Sequence, residues 1–161
     1  MQDTSVPLVV ATTAFLGVLL WRVRPLVAWT AHRRELREAL EGARVRIESA
    51  RDDVERARAL CDAADLLAAH VHTRTAAIGY YLRAMRSDPA SVEVIARATA
   101  GLARRPRALE SLLWRHLALA QKGPGHDAMR AALEGLKNLY EGRLRSGVRA
   151  RALEKVRDAV P

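Results

Sequence analysis

The most constraining feature of this sequence is a heptad that is written four times between residues 37 and 64. Its units are REALEGA, RVRIESA, RDDVERA and RALCDAA, which share arginine at the first place, an acid at the fifth and alanine at the seventh. An apolar stripe with a period of 3.5 residues is typical of a helix that pairs with another helix. We therefore predict one long, charged, coiled-coil-like helix over residues 31–64, with a seam formed by Leu36, Leu40, Ile47, Val54 and Cys61.

The composition of the rest of the chain predicts an all-α protein. Aromatic residues make up only 4% of the sequence, and glycine and proline are few, so the core has to form from small and aliphatic side chains on helices. The formal net charge is +9, but the arginines alternate with acids instead of forming one basic face with aromatics. Direct binding of nucleic acid is therefore disfavoured. The single cysteine, Cys61, excludes an internal disulfide.

An uncharged apolar run occupies the N-terminus from Thr4 to Trp21. Its 18 residues would span roughly 27 Å as a helix, which nearly matches a hydrocarbon core of about 30 Å. A cleaved signal peptide would need positive charge before the run, and a buried core helix would need a polar face. We therefore expect residues 1–30 to be a single transmembrane helix with its juxtamembrane segment. The anchor residues would be Val6, Leu8, Phe15, Leu16, Leu19 and Trp21.

Arginines follow this run and none precedes it, which places the remainder of the chain in the cytoplasm by the positive-inside rule. Arg22, Arg24 and Trp29 are of the types that lie at the membrane interface. The expectation from these residues is a single-pass protein of a bacterial inner membrane, with a cytoplasmic C-terminal domain.

Three prolines, Pro89, Pro124 and Pro161, are spaced by 35 and 37 residues, which indicates repeated helical hairpins. Around the first of them, Ala77, Tyr81, Ala84 and Pro89 follow the spacing of a small residue, an aromatic, a small residue and a proline. In this the segment 58–161 resembles tetratricopeptide repeats, although the second and third units match that pattern less well. The resemblance implies a short array of helical hairpins whose concave face binds segments of other proteins. Arg97, Arg104 and Arg105 are candidates for holding an acidic partner on that face.

The sequence contains none of the common catalytic or metal-binding motifs, such as HExxH, GxSxG, CxxC or a glycine-rich phosphate loop. His70 and His72 lie two residues apart and would point in different directions on a helix, so they do not predict a metal site. Ser111 and His116 have no evident third partner, and Trp114 is interpreted as a packing residue. We accordingly predict no catalysis, no cofactor and no metal.

These features together predict an adaptor or scaffold, anchored in a membrane, which binds an unidentified protein through a small helical-repeat domain. Two alternatives remain at this point. One is a basic helical protein that binds nucleic acid or anionic lipid through its arginines. The other is an assembly subunit that forms homo-oligomers through its heptad helix.

Overall fold

The computed structural model of the chain describes residues 34–70, 72–120 and 125–159. All regular structure in these ranges is helical, without a strand, which confirms the prediction of an all-α protein. The chain divides into two units, Met1–Ala39 and Leu40–Pro161. Of the first unit, the structure describes residues 34–39, which are helical.

The described helices follow one another with short connections. Helix α1 covers residues 34–49, and it is followed by α2 (Asp53–Ala69), α3 (Arg74–Ser87), α4 (Val92–Gly101), α5 (Pro106–Ala120), α6 (His126–Gly142) and α7 (Gly147–Asp158). Pro106 opens α5, where proline is favoured because the first helical N–H needs no partner within the helix.

The second unit is built from two layers of helices. Helix α4 packs against both α2 and α6, while α3 and α5 pack against each other on the other side. Helix α7 packs on α6. One hydrophobic cluster runs through these layers, and its largest fully buried members include Leu60, Tyr81, Met85, Ile95, Leu113 and Leu136. Successive hairpins thus close each other's apolar faces, which a single hairpin could not do alone.

The heptad segment is two helices, because the backbone leaves the helical conformation at residues 50–52. Asp52 caps α2, its carboxylate accepting a 2.6 Å hydrogen bond from Glu55 N. The Glu55 carboxylate in turn accepts a 2.8 Å bond from Arg51 N. An N-cap residue needs extended backbone angles, and Asp52 has φ −137° and ψ 173°. The expected unbroken helix over residues 31–64 therefore has to be corrected.

Much of the predicted seam packs within the chain's own second unit. Leu40 and Ile47 lie against its core, and Cys61 is fully buried in it. Val54, at the start of α2, is 44% exposed, and Leu36 is partly exposed in the first unit. The second unit therefore supplies the partner helices that the heptad pattern calls for.

The membrane prediction is contradicted by the structure. Across residues 34–70, 72–120 and 125–159, no helix is both long and apolar enough to cross a bilayer. Helices α2 and α6, with 17 residues each, carry charges along their length. The assignment as a single-pass protein of the inner membrane is corrected accordingly. The predicted anchor and interfacial residues, Val6, Leu8, Phe15, Leu16, Leu19, Trp21, Arg22, Arg24 and Trp29, lie outside the described residues.

The residues that carry the repeat resemblance lie on α3 and in the turn after it. Ala77, Tyr81 and Ala84 are each fully buried. Pro89 lies in an exposed turn, and α4 begins three residues later, capped by the Ser91 hydroxyl, which accepts a 3.4 Å bond from Val94 N.

Candidate functional site

An ion cluster joins α2 to α4 at the centre of the candidate site. The Arg97 guanidinium lies 2.6 Å from Asp62 Oδ1 and 2.6 Å from Asp65 Oδ2, and its Nε donates to Asp65 at 2.9 Å. Burial alone would lower the pKa of Arg97, but the hydrogen bonds to both carboxylates outweigh it and raise that pKa. Arg97 is 26% exposed, so this cluster fixes the two helices together while one edge stays open to solvent.

Tyr81 extends the cluster into the core. Its hydroxyl donates to Asp65 Oδ1. The pKa of Tyr81 is raised, mainly by burial and secondly by this hydrogen bond. The ring packs so closely on the end of α4 that a Cβ at position 101 would lie 2.9 Å from Tyr81 Cζ. Only glycine fits there, and Gly101 therefore lets α4 approach α3.

Two adjoining cavities lie over the seam between α2 and α4. The first has a volume of about 480 Å³, with small residues such as Ala68, Ala100 and Gly101 in its lining and with Arg74 and Arg104 beside them. The second, of about 420 Å³, is lined by Arg46 and Leu66 among others. Both include Asp65, Ala69 and Arg97, so the two cavities adjoin at this ion cluster, and we call them together the α2–α4 groove.

The charges along the α2–α4 groove are unevenly neutralised. Arg97 is balanced by Asp62 and Asp65. Arg74 donates to the carbonyl oxygen of Ala68 at 3.1 Å, which satisfies a helix end but gives its charge no carboxylate partner among the described residues. Arg46 and Arg104 form no ion pair within the part of the chain that the structure describes. Each of the two cavities can therefore attract carboxylates.

Two of the three arginines proposed from the sequence meet in this groove. Arg97 and Arg104 line the same cavity, whereas Arg105 lies apart and donates to the Thr75 hydroxyl at 2.8 Å. Sequence reasoning missed Arg74 and Arg46. It also missed the pairing of Arg97 with Asp62 and Asp65, although those separations of 35 and 32 residues are close to the spacing of the prolines.

The remaining candidate residues are dispersed. His116 is fully buried in α5, and neither ring nitrogen has a hydrogen-bond partner among the described residues. Burial lowers its pKa, so the ring is neutral near pH 7. Ser111 is exposed and lines another cavity with Ile78 and Leu82. In the ranges that the structure describes, no group of histidine, cysteine or acidic residues could hold a metal ion.

The chain was compared with protein-family models, with curated proteins and with solved structures, and none of the three comparisons found a match. The geometry of the described residues therefore has to support the functional argument.

Proposed function

We propose that this chain is a non-catalytic adaptor, which binds a segment of another protein in the α2–α4 groove of a small tetratricopeptide-like domain. The observation that carries the proposal is the groove itself. It consists of two adjoining cavities beside α2 and α4, its lining contains small side chains, and each cavity has an arginine that forms no ion pair among the described residues.

The lining favours an extended acidic segment. Small residues such as Ala68, Ala100 and Gly101 leave room for a backbone to approach the helices closely. Arginine forms charge-assisted, often bidentate hydrogen bonds with carboxylates, so Arg46 and Arg104 suit acidic side chains of the bound segment. The ion cluster around Arg97 holds the two walls of the groove at a fixed separation, which reduces the entropy lost on binding.

The repeat resemblance supports the same proposal. Each of the helical positions that carry it, Ala77, Tyr81 and Ala84, is buried where α3 meets its neighbours. In arrays of stacked hairpins the first helices of successive units form one surface, and here those helices are α2, α4 and α6.

The test is an affinity capture with the full-length chain and two charge-matched double variants. R46E/R104E reverses the charge of one unpaired arginine in each cavity of the groove, and R83E/R115E reverses two exposed arginines on α3 and α5. We expect a set of proteins to be retained by the wild type and by R83E/R115E but lost with R46E/R104E. Circular dichroism should show that all three chains are equally folded.

Nuclease treatment separates this proposal from nucleic-acid binding. Capture that depends on the groove arginines and survives nuclease supports a protein partner. Capture that disappears after nuclease, or that falls equally in both double variants, would instead favour a general electrostatic attraction of the basic chain, which also weakens steeply with salt. The adaptor proposal would then be wrong.

A further inference from the structure

A second groove lies on the other part of the domain, between α5 and α7 and above α6. Its cavity has a volume of about 440 Å³ and is lined by Trp114, Tyr140, Leu153 and Val156, with Glu110 and Arg149 as its charged members. It shares no lining residue with the α2–α4 groove. We call it the α5–α7 groove.

Tyr140 forms the floor of the α5–α7 groove and organises the residues around it. It is 2% exposed, and its hydroxyl donates to the Glu110 carboxylate. The Trp114 indole N–H donates to the same hydroxyl at 3.4 Å. The Arg149 guanidinium lies 5.5 Å from the centre of the Tyr140 ring and 3.5 Å from Glu110. These contacts hold Trp114 in place at the wall of the groove.

None of the described helices covers the apolar side chains of this groove. Trp114 is 45% exposed and Val156 is 52% exposed, and the two lie on opposite walls of one cavity. Across their described residues, α5 and α7 make no backbone contact with each other, so the gap between them stays open above α6. Tryptophan is one of the residue types that contribute most to the binding energy of protein interfaces, especially in a concave site.

The charge around the groove selects the partner. The acids of α7 are already engaged, Glu154 by Lys137 at 3.2 Å and Asp158 by Arg157 at 2.8 Å. Arg151 and Lys155 are exposed and have no ion pair within the described residues. Helix α7 therefore presents more unpaired positive than negative charge to solvent, which attracts acidic side chains.

We propose that the α5–α7 groove docks an acidic amphipathic helix of a partner protein. Large apolar side chains on one face of that helix would contact Trp114 and Val156, and its flanking aspartates and glutamates would be attracted by Arg149 in the groove and by the unpaired positive charge of α7. A groove between two helices on the floor of a third accepts the side-chain ridges of another helix. A second copy of this chain suits the surface less well, because it too carries a net charge of +9.

The experiment measures the fluorescence anisotropy of labelled helical peptides of about four turns, titrated with the full-length chain. One peptide carries leucines at positions i, i+3, i+4 and i+7 with glutamates on the flanks, and the matched peptide has lysines in place of the glutamates. We expect the acidic peptide to bind at least about tenfold more tightly than the basic one.

Two substitutions in the groove have closely matched controls elsewhere. V156E should weaken binding of the acidic peptide about tenfold or more, whereas V92E, at a valine that is 44% exposed on α4, should change it less than about twofold. R149E should weaken binding similarly. Its control is R83E, because Arg83 lies 5.7 Å from the centre of the Tyr80 ring, much as Arg149 does above Tyr140.

Several outcomes would overturn the proposal. They are equal binding of both peptides, no binding of the acidic peptide at concentrations up to about 1 mM, or equal losses in the groove and control variants. Sedimentation analysis provides a further test. If the wild type is a dimer and V156E is a monomer, the groove binds a second copy of this chain and the proposal is wrong. None of these results would affect the α2–α4 groove, whose own variants, R46E/R104E, should leave peptide binding here unchanged.

Discussion

Replacing Gly101 with alanine tests how α4 approaches Tyr81. The added methyl group would lie 2.9 Å from Tyr81 Cζ and 3.2 Å from Cε2, and closer still to the hydroxyl oxygen. Tyr81 is fully buried and its hydroxyl is bonded to Asp65, which also pairs with Arg97. The ring therefore cannot move away without breaking the cluster that joins α2 to α4.

The expected cost follows from two opposing contributions. Overpacking a filled core costs about 1–3 kcal/mol. Alanine is favoured over glycine inside a helix by up to about 1 kcal/mol, but Gly101 is the last residue of α4, so this gain is smaller here. We expect Gly101→Ala to lower the free energy of unfolding by about 1–2 kcal/mol.

Gly79 provides the matched control, because it lies inside α3 and a Cβ there would have no heavy atom within 4 Å. Gly79→Ala should raise the free energy of unfolding by about 0.5–1 kcal/mol. Urea unfolding followed by circular dichroism measures both variants, and unchanged m-values would show that only stability differs. The packing argument is refuted if Gly101→Ala stabilises the chain as Gly79→Ala does.

Three further predictions follow from single residues. Asp52→Ala should lower the free energy of unfolding by about 0.5–2 kcal/mol in the same urea assay, because it removes the carboxylate that caps α2; no loss would contradict the cap. Burial lowers the pKa of His116 below its ordinary value of 6.5. Below pH 6.5 the unfolded chain therefore binds more protons than the folded chain, so the free energy of unfolding decreases by up to about 1.4 kcal/mol for each unit by which the pH is lowered. Between pH 7.5 and 5.5 the urea midpoint of the wild type should decrease more than that of His116→Leu. An identical decrease in both chains would contradict the role of His116. Burial raises the pKa of Cys61 to about 12, so the thiol should react with Ellman's reagent at pH 8 only after unfolding, and rapid reaction of the folded chain would be inconsistent with its position.

The heptads predicted helical structure and an apolar stripe, but they did not predict where that stripe packs. A 3.5-residue period requires a partner helix without specifying whether it belongs to the same chain. Leu40 and Ile47 pack against the second unit itself. The break at Asp52 could have been predicted, since Asp52 and Glu55 have the spacing of a capping box inside the heptads.

The ion cluster of the candidate site shows why its partners were harder to predict. Local sequence gives the charge of Arg97 but not the residue that pairs with it. Its pairing with Asp62 and Asp65 depends on α4 stacking beside α2 in one particular register. Residues one repeat apart become neighbours in a stacked array, so a search for opposite charges at that spacing would have found the pair.

Trp114 illustrates a limit of a different kind. The sequence predicts a packing residue here, and the indole N–H of Trp114 does donate to the Tyr140 hydroxyl. Helical periodicity places Trp114 and Glu110 on one face of α5, but it cannot tell whether a following helix covers that face. Helix α7 packs on α6, and among the described residues its backbone makes no contact with that of α5; the Arg149–Glu110 ion pair joins the two helices, and the tryptophan remains 45% exposed. The α5–α7 groove is thus a consequence of how the last helices pack, which the periodicity of each helix does not specify.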